Sequence, residues 1–112
     1  MRSYLIEDFY PEQLQKITAA LTDKGLAGSL DGIFYLPLPE VLLTDVQRAH
    51  AGECGPHIFV LEVLEEGSLK LELLLRAKNK LRCECVFYAT QDQREHIISF
   101  LDDFIRQLDI SV

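Results

Sequence analysis

A chain of 112 residues with 48% hydrophobic and 26% charged residues fits one globular domain, able to bury about two-thirds of the surface its unfolded form exposes. Its formal charge of -7 disfavours functions built on phosphate contacts, since a nucleic-acid backbone needs clustered Lys and Arg. No apolar run approaches the roughly 18 to 20 residues that span a bilayer, and "MRSYLIEDFYPEQ" meets Glu7 and Asp8 too early for a signal peptide. Cytoplasmic residence follows as an expectation, with the three cysteines held as reduced thiols and no cofactor.

In chain order, "SYLIEDF" reads as a first strand. "YPEQLQKITAALTDKG" then sets Leu14, Ile17, Ala20 and Leu21 at helical spacing, with Pro11 in the first turn and Gly25 at the C-terminal cap. In "LAGSLDGIFYLPLP", Asp31-Gly32 marks a tight turn between a short strand and a more apolar one, which Pro37 and Pro39 end or place at a sheet edge. "LLTDVQRAHAG" carries a capping box from Thr44 to Gln47, and Gly52 is expected to stop this helix just after His50.

Three strands follow, each with apolar residues at odd positions: Phe59, Leu61 and Val63; Leu69, Leu71, Leu73 and Leu75; Leu81, Cys83, Cys85, Phe87 and Ala89. A second capping box, Thr90 to Gln93, opens a final helix whose stripe of Ile97, Phe100, Leu101, Phe104 and Leu108 requires an apolar sheet beneath it. The predicted fold is a single α+β domain over residues 1–112, in the order β-α-β-β-α-β-β-β-α. Its antiparallel sheet, a three-stranded C-terminal meander plus shorter N-terminal strands, is covered on one face by two main helices.

Pairing the odd positions sets Val63 opposite Leu71, Leu61 opposite Leu73, and Leu73 opposite Cys83. On the even face this aligns Glu62, Glu72 and Glu84 in one row, a candidate surface for a basic protein partner, with Lys70 and Arg82 on the diagonals. The same face carries Ile58, Val60, Leu64, Leu74, Val86 and Tyr88, more apolar residues than a solvated sheet face normally shows, which points to a homodimer. The "YLPLPEVLL" edge is a further candidate contact surface. The one basic cluster, "RAKNKLR", reads as a hairpin turn with its flanks.

"RAHAGECGPHIF" offers His50, Cys54 and His57 as three metal ligands, with Glu53 as a candidate fourth. Its plainer reading is a turn: His50 at a helix C-terminus, Cys54 in the turn, Gly55-Pro56 starting the next strand. The inferred register separates His57 from Cys83 by roughly 16 Å, too far to share an ion, so Cys83 and Cys85 read as small buried hydrophobes beneath the helices; the alternative, a soft-metal or redox pair, requires them exposed. Cys54-Gly55-Pro56-His57 resembles the Cys-Gly-Pro-Cys of thioredoxin-like proteins over four residues, with His in place of the resolving cysteine and a strand, not a helix, after it.

No Gly-x-Ser-x-Gly elbow, phosphate-cradling Gly-rich loop or His-Glu-x-x-His is present, and His96 with Glu95 and Asp92 sits on the flank of an amphipathic helix. The expectation is a non-enzymatic protein-binding, adaptor or chaperone-like module acting as a homodimer. Small acidic α+β secretion chaperones offer a fold-level analogy. The alternative is a metal- or thiol-dependent protein with a site at His50, Cys54 and His57.

Overall fold

The computed structural model describes residues 2–111. Phe59, Leu61, Leu69, Leu71 and Leu75 are wholly shielded from solvent because two amphipathic helices lie over the face their alternation creates. The elements run β1 (Ser3–Ile6), α1 (Pro11–Asp23), β2 (Ile33–Pro37), a 3-10 turn (Glu40–Leu42), α2 (Asp45–Cys54), β3 (His57–Leu64), β4 (Ser68–Glu72), β5 (Leu74–Ala77), β6 (Phe87–Tyr88) and α3 (Gln91–Gln107). This is the expected α+β class, an antiparallel sheet under helices. Leu14, Ile17 and Leu21 of α1 and Ile97, Leu101, Phe104 and Ile105 of α3 fill the core. No helix among the described residues is long and apolar enough to cross a membrane.

All strand pairs are antiparallel. β2 pairs with one edge of β3, and β4 and β5 share the other edge in succession; β1 lies beyond β4, and β6 beyond β5. Leu73, between β4 and β5, donates its N–H to the Arg2 carbonyl at 3.0 Å and accepts at its own carbonyl from the Ala89 N–H at 2.8 Å. The outer edge of the sheet is thus assembled from the first and last strands of the chain.

Within the sheet the expected second meander strand breaks at Leu73 into β4 and β5, and three further details depart from the sequence reading. The β3–β4 hairpin pairs Val63 with Leu69 and Leu61 with Leu71, two residues from the expected register. A shift of two keeps each side chain on its face, so Phe59, Leu61, Leu69, Leu71 and Leu75 are buried as expected, whereas Val63 and Leu73 are half-buried and Leu81 and Phe87 are exposed. Gly67 closes this hairpin at φ +113, where a Cβ would also stand 2.7 Å from the Phe9 carbonyl oxygen. The third meander strand is reduced to Phe87–Tyr88, paired with Leu75 and Leu74, which leaves residues 78–86 as a loop. The short strand before Asp31-Gly32 is a single bridge, Ala27 to Phe34.

The second helix differs most consequentially. It does not stop at Gly52 but continues to Cys54. A mid-helix glycine costs only about 1 kcal/mol relative to alanine, which tertiary packing overrides. Termination comes at Gly55, whose N–H bonds the Ala51 carbonyl at 3.0 Å and where a Cβ would stand 2.5 Å from that same oxygen. Pro56 follows and disfavours helical backbone at Gly55.

Both capping boxes form, at Thr44 with Gln47 and at Thr90 with Gln93. They are also joined. The Gln93 side-chain amide donates to Gln47 Oε1 at 2.9 Å and to the Leu42 carbonyl at 2.8 Å, and the Gln47 amide donates to the Cys85 carbonyl at 3.3 Å. Both glutamines are buried.

Candidate metal centre

Continuing α2 past Gly52 puts His50 and Cys54 one helical turn apart on a single face. Opposite them lies the 78–86 loop, fastened to the end of the helix by its backbone. The Lys78 N–H donates to the Pro56 carbonyl and the Asn79 N–H to the Cys54 carbonyl, each at 3.0 Å, while the Asn79 side chain donates to the Gly55 carbonyl. A turn closed by the Val86 N–H on the Cys83 carbonyl at 3.0 Å then brings Cys83 and Cys85 towards α2. Cys54, Cys85 and Ala77 form a small buried cluster there, with Cys83 and Val86 half-buried against it.

Nδ1 of His50 and the sulfurs of Cys54, Cys83 and Cys85 provide four ligand positions, all within 4.8 Å of one another. Cys54 Sγ lies 3.7 Å from Cys83 Sγ, and His50 Nδ1 lies 3.1 Å from Cys83 Sγ and 3.8 Å from Cys54 Sγ. Tetrahedral zinc with Zn–S bonds of ~2.3 Å separates its sulfurs by about 3.8 Å, so the Cys54 and Cys83 sulfurs are already spaced as that geometry demands. The other imidazole nitrogen, Nε2, lies 3.3 Å from Glu84 Oε1. A neutral His50 protonated on Nε2 donates to Glu84 and leaves the Nδ1 lone pair free for a metal.

The thiols titrate unequally. The Cys85 backbone N–H, followed by the Cys85 thiol, pulls Cys83 down to about 7. Burial, then the Cys83 and Cys54 thiols, pushes Cys85 up to about 12, and burial raises Cys54. With protein groups alone this cluster favours one thiolate; holding three so close requires a cation among them.

No protein-family model, curated protein or solved structure matches this chain.

Of the three ligands read from the sequence, His50 and Cys54 belong to the group and His57 does not. His57 pairs with Ala77 at the start of β3, buried, with neither ring nitrogen hydrogen-bonded, and lines a pocket of ≈ 270 Å³ with Leu38, Glu40, Leu43, Ala51, Gly55 and Pro56. Burial, then the charge of His50, lowers its pKa. Glu53 is exposed and outside the group. His57 stays apart from Cys83 and Cys85, as expected, but the division of that pair from His50 and Cys54 is corrected, because it assumed a strand where the chain forms a loop that folds back onto α2.

The acidic row is not formed either. Glu62 stands opposite Lys70, Glu72 pairs with Arg76 at 2.8 Å, and Glu84 turns to His50. Val60 faces Tyr35 and Leu74 faces Tyr88 on the sheet, whereas Val86 packs at the cysteine cluster. Arg2 lies 4.9 Å over the Tyr88 ring and Lys78 lies 5.8 Å over Tyr35. His96 is a half-buried residue of α3. Glu84 was missed as a partner of His50, and Cys83 and Cys85, weighed only as a pair by themselves, were not joined to His50-x3-Cys54, whose helical spacing was the signal.

Proposed function

We propose that this chain is a zinc-binding domain in which His50, Cys54, Cys83 and Cys85 hold one ion in a closed structural site. The observation that carries this reading is the spacing of the four ligand atoms, within 4.8 Å of one another and drawn from two separate segments. Thiolate-rich tetrahedral sets select zinc among the common divalent ions, and four protein ligands leave no position open for substrate. Zinc supplies the cation that the three thiolates require. Its mechanical effect is to pin the 78–86 loop, which has no helix or strand of its own, to the last turn of α2.

Elemental analysis of protein purified without chelator tests the reading. One zinc per chain is expected, lost in Cys54→Ser and Cys85→Ser and kept in His57→Ala; cobalt substitution should give the absorption of a tetrahedral, sulfur-rich centre. Metal-free protein that takes up neither ion overturns it.

The sheet face away from the helices, with Val60, Leu74 and Tyr88 half-buried on it, supports a secondary role in self-association or in holding a basic partner. Its carboxylates Glu62 and Glu72 already face Lys70 and Arg76, so the metal centre has the stronger support. Cytoplasmic residence fits the three free thiols.

A further inference from the structure

Cys83 is half-buried, whereas Cys54 and Cys85 are shielded from solvent. Its sulfur lies 3.7 Å from Cys54 Sγ, although 29 positions separate the two in sequence. A disulfide needs ~2.05 Å, a movement of less than 2 Å that falls on a loop with no helix or strand between Ala77 and Phe87. Cys85, the neighbour in sequence, is held by the Gln47 amide at its carbonyl and buried in the small cluster with Ala77. Cys85 Sγ also lies within 4.8 Å of Cys83, but on the same short turn of the loop; the least buried of the three thiols thus has at 3.7 Å a sulfur carried by a separate element, α2.

We infer that Cys83 and Cys54 form a peroxide-responsive pair, a site of reversible oxidation whose closure expels the metal. The Cys83 sulfur attacks one oxygen of hydrogen peroxide; the O–O bond breaks, Cys83 becomes a sulfenic acid, and the departing hydroxide takes a proton to form water. The Cys54 sulfur then attacks Cys83; the S–O bond breaks and the second hydroxide leaves as water. The two sulfurs lose two electrons together, and the peroxide is reduced to two waters. Two of four ligands are consumed, so the ion is released. The release rests on the zinc reading; the bond itself does not.

Non-reducing tryptic mapping after treatment with equimolar hydrogen peroxide decides the matter, with zinc release followed by a chelating dye. Trypsin places Cys54 in peptide 49–70 and both other cysteines in peptide 83–94. The expected product is a cross-link between these peptides, assigned to Cys83 by fragmentation, formed with one zinc released per bond and reversed by dithiothreitol. Cys85→Ala should keep the cross-link and Cys83→Ser should abolish it. An internal Cys83–Cys85 bond, a Cys54–Cys85 bond, or zinc-loaded protein that forms no disulfide overturns the inference while leaving the metal reading intact. A Cys54–Cys83 bond in protein that never binds zinc overturns the metal reading and leaves the thiol pair standing.

Discussion

The imidazole of His50 bridges two environments: Nδ1 lies 3.1 Å from Cys83 Sγ while Nε2 lies 3.3 Å from Glu84 Oε1. A carboxylate behind a metal-binding histidine fixes its tautomer and makes the ligand nitrogen more basic, an effect worth 10-fold to 100-fold in affinity. Glu84 is largely exposed, which argues for the lower end of that range. Glu84→Ala should weaken zinc binding about 10-fold while leaving one ion per chain. Competition against a chromophoric chelator reads this directly; unchanged affinity would mean that solvent serves Nε2 equally well.

The course of α2 through Gly52 predicts opposite outcomes for two neighbouring glycines. A Cβ at Gly52 meets nothing within 4 Å, so Gly52→Ala should stabilise the protein by about 0.5 to 1 kcal/mol through its helical preference. At Gly55 the new Cβ meets the Ala51 carbonyl oxygen at 2.5 Å, so Gly55→Ala should destabilise and loosen zinc binding through Cys54. Urea unfolding of both variants tests the pair. A helix ending at His50 would give no gain at Gly52.

The Gln47–Gln93 link predicts strong coupling. Gln93→Leu leaves the Leu42 carbonyl without its donor in a buried setting, at about 1 to 3 kcal/mol, and takes one of two donors from Gln47 Oε1, which keeps the Thr44 N–H at 3.0 Å. Gln47→Leu strands the Cys85 carbonyl instead. The double variant should lose less than the sum of the two, a deficit of about 0.5 to 3 kcal/mol in a double-mutant cycle. Strict additivity would show the two glutamines acting only as separate caps.

His57 predicts a pH dependence. Burial holds its pKa below the ordinary value of about 6.5, so as pH falls through that value the unfolded chain takes up a proton that the folded chain resists. The unfolded state binds more protons in this window, and stability therefore falls with falling pH. His57→Phe removes the contribution, and its stability relative to the parent should rise as the pH is lowered from 7.5 to 5. Parallel urea midpoints across that range would contradict the assignment.

The helices, both capping boxes and the buried odd face were legible because each is written in short-range periodicity, and a register error of two residues leaves period-two burial untouched. The candidate metal centre was not. Leu81, Cys83 and Cys85 keep the alternation of a strand, yet Leu81 is 83% exposed and the segment loops back onto α2. Nothing local distinguishes these alternatives, because the backbone partners that decide between them, Cys54, Gly55 and Pro56, lie more than twenty residues earlier. Gly52 compounded the difficulty: read as a stop signal, it hid the helical turn that joins His50 to Cys54.

The meeting of β1 and β6 at Leu73 bears on how the molecule is made. As the chain leaves the ribosome, Ser3–Ile6 has no strand to pair with until Leu69 to Glu72 have emerged, and the neighbouring stretch of the same edge must wait for Phe87–Tyr88. Pairings so distant in sequence are slow to close. Ser3–Ile6 therefore stays unpaired until β4 is made, and loss of Phe87–Tyr88 would leave Leu74 and Leu75 on an open stretch of the same edge.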